Sequence, residues 1–369
     1  MSTSIPFLTA GEFYDRVSPV RAVRALRDAL RAGFDPAEDH QRISSRLGSG
    51  EFLFMPSEAG AIAGIKVLSV APGNPARDLP RIQGTYILFD SETLTPRQLI
   101  DGVALTNVRT AAVSLAAIED ALLVGDGPLR VVLYGAGQQG MSHLLTLRAV
   151  LQGRREIESV TAVVRSRQNY PHLQDIEVVA AGTAKAEEAT AAAGLVICTT
   201  TAREPLFDAQ LVNPSAVVVA VGSHEPDARE LPAALLGRST VVVEDIATAL
   251  RECGDVVMAI AEDELSAQDL VPMARAVREP QLLRGNGPVV FKSSGMAWED
   301  LVLAGAAVEA ESELLSSRSA AGSAPAHRGT AASCAPSPGR RRCFRAVPIR
   351  RSRRALPAAG RRGSASGWT

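Results

Sequence analysis

The chain has 369 residues, which is room for two domains, and its 46% hydrophobic content is ample for buried cores. Its net charge of −1 argues against a nucleic-acid binder. The charge is unevenly distributed, because residues 314–369 contain twelve arginines and no acid, so the net charge of the preceding residues is −13. The four cysteines form no Cys-x-x-Cys pair, so neither a disulfide framework nor a metal site is predicted. Residues 1–10 show no signal-peptide pattern and no apolar run has membrane length, so we expect a cytoplasmic protein without a membrane partner.

The first hundred residues predict one helix and a set of strands. Apolar residues at helical spacing predict an amphipathic helix over Pro19–Ala32, with Ser18 as its N-cap. Strands are predicted at Glu51–Met55, ending at Pro56, at Gly60–Val70 and at Thr85–Phe89. Lys66 interrupts the apolar residues of the second strand. Because an unpaired buried lysine is costly, it must reach solvent, pair with an acid or serve a site.

A further helix is predicted to run through Ala121, with Thr106 as its N-cap. Arg109 would then lie in the first turn, where a cation opposes the helix dipole. Two interpretations are open. The arginine either clamps a carboxylate near the free N–H groups of the helix, or it forms an ion pair with Glu119 or Asp101.

A glycine-rich loop follows three aliphatic residues, Val131–Leu133, and precedes a Leu-rich helix over His143–Leu151. The loop is a Gly-x-Gly-x-x-Gly sequence made of Gly135, Ala136, Gly137, Gln138, Gln139 and Gly140. The first glycine permits a tight turn, the second lets the backbone approach a pyrophosphate, and the third lets the helix pack against the strand. This strand–loop–helix context favours a dinucleotide site over a purely structural turn.

Strands and helices alternate after this loop, which predicts a parallel sheet. The predicted strands are Val160–Val164, Ile176–Ala180, Leu195–Thr199, Ala216–Val221 and Thr240–Val243, and the predicted helices are Lys185–Ala193 and Trp298–Leu315. Because ligands bind beyond the carboxyl ends of such strands, the segments that follow them should meet in one cleft. Those segments are residues 135–140, 165–167, 199–201, 223–227 and 293–295, which makes Ser293 a candidate cofactor contact.

The end of the second strand of this sheet distinguishes the two nicotinamide cofactors. An NAD site usually has an acid there to bind the ribose 2′-hydroxyl. Here Arg165, Ser166 and Arg167 follow the strand and no acid is present. Two arginines and a serine suit a 2′-phosphate, so NADP(H) is favoured over NAD(H). The alternative is that these are two surface arginines.

Residues 316–369 differ in composition from the rest of the chain. They are rich in Ala, Gly, Ser, Pro and Arg and have no acid, so we expect a disordered tail that buries too little surface to fold. A basic arm for RNA or membranes and an out-of-frame or unselected extension are both conceivable, and we favour the second.

Five motifs in order resemble the ornithine cyclodeaminase/µ-crystallin family over about residues 10–313. They are Met-Pro at 55–56 with Gly-Ile-Lys-Val at 64–67, Thr-x-x-Arg-Thr-Ala-Ala at 106–112, the loop at 135–140, Val-Gly at 221–222 with Arg-Glu-Leu at 229–231, and Phe-Lys-Ser-Ser-Gly-Met-Ala-Trp-Glu-Asp at 291–300. The resemblance implies an α/β protein with an α+β substrate-binding and dimerisation domain, residues 1–125, completed by a returning helix in 296–315. A Rossmann domain with a doubly wound parallel sheet would span residues 126–295.

The resemblance also implies functional residues, because family members are usually dimers that use NAD(H) or NADP(H) on small amino or imino acids. By motif position, Arg42, Lys66 and Arg109 match residues that hold the substrate carboxylate and the reacting nitrogen. Thr110 and Thr201 match positions on the cofactor side.

One departure from the family pattern bears on the reaction. Where cyclodeaminases of the family have a catalytic Asp and a following Lys, this chain has His224 and Ala228. The acid after the second strand is also missing. These changes indicate an NAD(P)H-dependent reductase of small α-imino acids, such as Δ1-pyrroline-2-carboxylate. In that reaction Lys66 would orient the nitrogen or relay a proton, His224 would be a second acid, and Asp227 would orient His224 or replace it.

Two alternative functions are open at this stage. Ornithine cyclodeaminase would convert ornithine to proline and ammonia, but it would need a substitute for the missing Asp. A non-enzymatic NADPH- or ligand-binding protein would not need the three cationic residues Arg42, Lys66 and Arg109.

Overall fold

A computed structural model describes residues 4–125, 127–170 and 173–322 of the chain. Most of the predicted tail, residues 323–369, lies outside the described residues. Residues 316–322 continue the last helix, which spans Ala297–Gly322 instead of ending at Leu315. The reason is local, because no glycine or proline interrupts the sequence between Leu315 and Gly322.

The N-terminal part forms a six-stranded sheet in the order β1-β6-β5-β4-β3-β2, in which only the β1–β6 pair is parallel. Its strands are β1 (Phe7–Leu8), β2 (Ile43–Leu47), β3 (Gly50–Ala59), β4 (Ile62–Val70), β5 (Ile82–Asp90) and β6 (Pro96–Asp101). Its helices are α1 (Ala10–Arg16), α2 (Pro19–Arg31) and α3 (Gly102–Leu122), and α10 (Ala297–Gly322) returns to pack on β3 and β4. The predicted helix over Pro19–Ala32 is confirmed, with Ser18 accepting a hydrogen bond from the N–H of Arg21.

Two sequence predictions in this part are wrong. β3 does not end at Pro56 but continues to Ala59. The first residue of β2, Ile43, lies opposite Phe54, so Pro56 has no β2 partner and its missing N–H disrupts no hydrogen bond between these two strands. Helix α3 is capped by Asp101 and not by Thr106, since the Asp101 carboxylate accepts hydrogen bonds from the first turn at 3.0 and 2.8 Å. Arg109 therefore lies about two turns inside the helix, beyond the reach of the terminal dipole.

The second sheet has eight parallel strands in the order β13-β12-β14-β11-β10-β7-β8-β9. Its strands are β7 (Leu129–Tyr134), β8 (Ile157–Val164), β9 (Glu177–Ala180), β10 (Leu195–Cys198), β11 (Val217–Ala220), β12 (Thr240–Val243), β13 (Val271–Pro272) and β14 (Val289–Lys292). Its helices are α4 (Gln138–Leu151), α5 (Ala184–Ala192), α6 (Ala233–Leu236), α7 (Ile246–Glu252), α8 (Gly254–Ala261) and α9 (Met273–Arg278). Chain order reverses between β7 and β10, which is the switch point where a doubly wound sheet binds its ligand.

Helices cover both faces of the parallel sheet, so its strands are apolar on both sides. Val131 and Leu133 of β7 join a core with residues of α3 and α4, whereas Val132 and Tyr134 join a core with residues of α6 and α8. Because α3 belongs to the N-terminal part but packs on β11 and β14, it carries Arg109 to the carboxyl edge of this sheet. The predicted fold class is confirmed, and the exact boundaries at 125/126 and 295/296 stay a prediction. In the described part of the chain, no helix is long and apolar enough to cross a membrane.

Candidate active site

The glycine loop has the geometry that its sequence predicts. Gly135 adopts a φ of +95°, and a Cβ on Gly140 would lie 2.1 Å from the Gly135 carbonyl oxygen. At Gly137 no described atom lies within 4 Å of a Cβ position, so the space over the loop is open. Gly137 is also the N-cap of α4 and offers no side chain to its N–H groups. These groups can therefore bind an anion.

A cleft of about 500 Å³ opens beside this loop, a size that suits a cofactor. Its lining includes five predicted contacts, which are Gly135, Gly137, Arg165, Ser166 and Thr201. Arg167 lies on a neighbouring cleft of about 910 Å³, and both arginines are exposed and make no ion pair within the described residues. Of the remaining loop residues, Ala136 is buried, Gln138 is exposed, and Gln139 donates a hydrogen bond from Nε2 to Asn107 of α3.

Glu230, which received no role from the sequence, connects the ends of two strands at this cleft. Its carboxylate accepts hydrogen bonds from the Thr200 N–H at 2.6 Å, the Thr200 hydroxyl at 2.8 Å and the Gly222 N–H at 2.7 Å. Asp255 in turn accepts from the N–H groups of Glu230 and Leu231 at 2.8 and 2.7 Å. These buried carboxylates explain the Arg-Glu-Leu motif at 229–231, because they hold the cofactor-side turns in place.

The three residues predicted to bind substrate converge at the beginning of α10. Lys66 and Asp300 form a fully buried ion pair, with 2.6 Å between Nζ and Oδ2. Arg109 is nearly buried and donates to Glu299 at 2.9 Å, so neither Glu119 nor Asp101 is its partner. Its Nε is buried and has no hydrogen-bond partner among the described residues. This Nε lies 3.7 Å from Asp300 Oδ1, so Arg109 is held between the carboxylates of Glu299 and Asp300.

The turn at Gly295 brings Arg42 to the same place. Gly295 adopts a φ of +82°, and a Cβ there would lie 2.3 Å from one terminal nitrogen of Arg109. Arg42 donates to the carbonyl oxygens of Ser294 and Gly295 at 3.2 Å each. It also forms an ion pair with Glu252. The two arginines thus lie against one turn that has no room for a side chain.

Burial and neighbouring charges shift the ionisation of this cluster. Burial lowers the pKa of Lys66 to about 8, against the raising effect of Asp300, and Arg109 lowers it further. Burial would also lower the pKa of Arg109, but Glu299, Asp300 and Glu244 outweigh burial and raise it. Burial and Glu244 raise the pKa of Glu299 well above its usual value. A lysine with a pKa near 8 can donate or accept a proton near neutral pH.

Ser293 is buried and is not among the residues that line the cleft beside the glycine loop, so its contact with the cofactor stays a prediction. Its buried hydroxyl donates to Glu244 at 2.9 Å, and Glu244 also accepts from the N–H groups of Ser294 and Gly295 at 2.9 and 3.0 Å. Because it shapes the Gly295 turn, Ser293 acts on the site through the backbone. The Thr110 hydroxyl is likewise engaged, since it donates to the Thr106 carbonyl oxygen at 2.8 Å.

The two acid candidates on the loop after β11 lie in different surroundings. His224 is exposed, and partial burial together with the charge of Arg42 lowers its pKa, so His224 lies near Arg42. Asp227 is exposed and forms an ion pair with Arg203 at 2.6 Å. The Asp227 carboxylate is thus already paired with a cation, and its role as an acid stays a prediction.

The sequence did not predict that Glu244, Glu299 and Asp300 belong to the site, although it carried a weak signal for them. Glu299 and Asp300 are adjacent acids in the first turn of a helix whose next eight residues, 301–308, are apolar or glycine, and Glu244 follows a buried strand directly. Acids near a helix N-terminus have an ordinary electrostatic explanation, so this signal by itself assigns no site.

Comparison with known proteins agrees with the resemblance. Residues 17–313 match the model of the ornithine cyclodeaminase/mu-crystallin family. The chain belongs to this family. Δ1-pyrroline-2-carboxylate reductase 2 of Burkholderia ambifaria is 31% identical over 261 residues, which cover 69% of this chain and 78% of that protein. Ketimine reductase mu-crystallin of Mus musculus is 30% identical over 244 residues, which cover 65% and 73%.

Solved structures of similar fold support the architecture of this family member. The Δ1-pyrroline-2-carboxylate reductase of Thermococcus litoralis, solved with NADH and L-proline, superposes with a TM-score of 0.73. The alignment covers 84% of this chain and 98% of that one at 24% sequence identity. At this identity the likeness shows the fold alone.

Proposed function

We propose that this protein is an NAD(P)H-dependent reductase of small α-imino acids, with Δ1-pyrroline-2-carboxylate or a related ketimine as its substrate. The observation that carries the proposal is the convergence of Lys66, Arg109 and Arg42 at the Gly295 turn, at the same sheet edge as the glycine loop. The names of the two reductases to which the chain is similar support the same reaction class.

The residues present fit a dinucleotide, because the cleft is open over Gly137 and the N-terminus of α4 has no side-chain cap. When bound, the reduced nicotinamide supplies the hydride that the imine carbon accepts. Arg109 and Arg42 would hold the substrate carboxylate and so fix the face of the imine that is reduced. Lys66 would bind the imine nitrogen and give it a proton. His224 is the second donor candidate.

We infer a preference for NADP(H) from Arg165, Ser166 and Arg167. The first two line the cleft, both arginines are exposed, and no acid follows β8 to bind a free 2′-hydroxyl. A 2′-phosphate would gain charge-assisted hydrogen bonds from these arginines. The cytoplasmic location stays a prediction of the sequence.

The experiment that tests the proposed function is the loss of absorbance at 340 nm when enzyme is mixed with NADPH and Δ1-pyrroline-2-carboxylate, repeated with NADH. We expect rapid oxidation with NADPH and formation of proline. If the absorbance does not change with either cofactor, although the protein is folded and binds NADPH, the assignment of Δ1-pyrroline-2-carboxylate as the substrate is contradicted. The cyclodeaminase alternative would be supported if ornithine released ammonia and proline without added reductant. The sequence does not favour this alternative, because His224 replaces the Asp of the cyclodeaminases.

The rate of reduction should fall as pH rises through about 8, because neutral Lys66 has no proton to donate. Stability should move in the opposite direction. The pKa of Lys66 in the folded protein lies below its ordinary value of 10.5, so between pH 8 and 10.5 the unfolded chain binds more protons than the folded one. The contribution of Lys66 therefore raises the free energy of unfolding as pH rises through this range. Steady-state rates and urea unfolding measured from pH 6 to about 10 check both signs. A rate that stays constant to pH 10 would contradict the role of Lys66.

We further propose a homodimer that pairs the outer faces of the six-stranded sheets. Cross-strand neighbours Ile43, Phe54 and Val67 lie on the face away from α10, beside Phe52, and Ile43 is 59% exposed in the single chain. A large apolar face of this kind is typical of an interface. Light scattering should therefore give twice the chain mass. Phe52→Glu should dissociate the dimer, whereas Leu94→Glu on the exposed β5–β6 turn should not.

A further inference from the structure

A row of buried polar atoms runs under α10 from Lys66 toward the surface. It begins at the Lys66–Asp300 ion pair. The other atoms of the row are buried and make no hydrogen bond of normal geometry among the described residues; they are the hydroxyl oxygens of Tyr86 and Ser57, Asp39 Oδ1 and Trp298 Nε1. Buried polar groups in folded proteins nearly always have partners. Several buried polar atoms without partners in one region are costly, so they indicate a role beyond packing.

The strand register shows that these groups are neighbours. Lys66 of β4 pairs directly with Tyr86 of β5, so both side chains point to the buried face. The Tyr86 hydroxyl lies over Gly64, where a Cβ would be only 2.0 Å from it. Gly64 pairs with Ser57 of β3, whose side chain points to the same face. The hydroxyls of Tyr86 and Ser57 are thus adjacent, and Gly64 provides the space for them.

Carboxylates lie at the two ends of the row, Asp300 on α10 and Asp39 on the segment before β2. Asp300 pairs with Lys66 at 2.6 Å, and Asp39 accepts a hydrogen bond from the Trp298 N–H at 2.8 Å with its other oxygen. Burial raises the pKa of Tyr86 well above its usual value, and Asp300 and Asp39 raise it further, so both carboxylates are close to this hydroxyl. Burial raises the pKa of Asp39, while the nearby Ser57 side chain lowers it.

The Asp39 end of the row reaches solvent at the surface of the protein. Asp39 is partly exposed and lines an open surface cleft of about 450 Å³ with Asp35, Glu58 and Gly60. Lys66 and Asp300 have no exposed surface of their own. Lys66 therefore needs a path through other groups to exchange protons with solvent. The titratable and charged groups that face the row are Asp39, His40, Lys66, Tyr86, Arg109, Glu299 and Asp300.

We propose that Asp39, Ser57 and Tyr86 form a proton relay that recharges Lys66 from this surface cleft. The inference rests on the proposed function. Reduction of a C=N bond adds a hydride from the nicotinamide to carbon and one proton to nitrogen. Lys66 gives that proton and becomes neutral. Asp39 takes a proton from solvent, the hydroxyls of Ser57 and Tyr86 each pass one on, and Lys66 regains its charge, with bridging waters where the hydroxyls do not touch. Each turnover thus consumes one proton from solvent.

The variants that test the relay are Tyr86→Phe, which removes only the hydroxyl, and Asp39→Asn, which keeps an oxygen for the Trp298 N–H. We expect each to lower kcat at least tenfold and to raise the solvent isotope effect on kcat in D2O, with the KM for NADPH unchanged. Asp35→Asn on the same cleft and Tyr14→Phe on the surface are matched controls that should behave as wild type. Wild-type kcat and isotope effect in both relay variants would overturn the inference.

A melting-temperature measurement separates failure of the relay from failure of the proposed function. If wild-type enzyme reduces no imino acid, the proposed function fails, but the row can still be tested. In a hydrogen-bonded row, Tyr86→Phe removes a bonded group and lowers the melting temperature. If the hydroxyl is isolated, its removal raises the melting temperature, because an unsatisfied buried group is lost, and the relay is then excluded.

Discussion

Lys66→Met is expected to lower the free energy of unfolding by about 3–5 kcal/mol and to abolish imine reduction. The stability loss follows because Asp300 would remain as a buried carboxylate without its cation, and breaking one side of a buried pair typically costs that much. The activity loss follows because the proton donor is gone, which typically costs about 10²–10⁴ in rate. Urea unfolding and steady-state rates measure the two effects separately.

The double variant Lys66→Met/Asp300→Leu separates chemistry from folding. Replacing both members of a buried pair by apolar groups is often neutral or stabilising, so stability should return. Activity should not return. If both returned, Lys66 would be a structural residue only. Lys292→Met is the matched control, because Lys292 also forms a fully buried lysine–aspartate pair, with Asp255 at 2.9 Å. It should lose similar stability, yet kcat per folded molecule should fall less than about tenfold, since Lys292 is outside the proton transfer.

Changing Arg165 and Arg167 together to Ala should weaken NADPH binding far more than NADH binding. Each charged hydrogen bond lost to the 2′-phosphate costs roughly 1.5–3 kcal/mol, and NADH has no phosphate there. Dissociation constants for both cofactors, from fluorescence titration at one fixed salt concentration, give the comparison. Arg130→Ala is the control for net charge, because Arg130 is an exposed arginine paired with Glu158 on the surface. Equal weakening of both cofactors would contradict the 2′-phosphate assignment.

The parallel sheet and its glycine loop could be predicted because their signals are local. The apolar run Val131–Leu133, the three spaced glycines and the Leu-rich helix lie within about twenty residues, and each residue type has a direct conformational reason. The start of α3 could not be predicted in the same way. Asp101 and Thr106 are both good capping residues, and the choice depends on where β6 ends, which is determined by its pairing with β5.

The partners of the cationic residues are likewise beyond local sequence. Arg109 and Glu299 are 190 positions apart, and they meet only because α10 returns across β3 and β4. The same return buries Lys66 against Asp300 and moves its pKa. From the sequence, an apolar strand with one lysine was compatible with solvent, an acid or a site.

The sequence by itself determined the family, the nucleotide fold and the positions of the cations that could bind an imino acid. Tertiary structure alone decided which acids oppose those cations, that Ser293 is buried and Asp227 is exposed, and that the Tyr86 and Ser57 hydroxyls are buried on the same sheet face as Lys66. The physical reason is range. Backbone conformation and strand pattern are set by neighbours in the chain, whereas burial and charge pairing depend on which distant elements pack together.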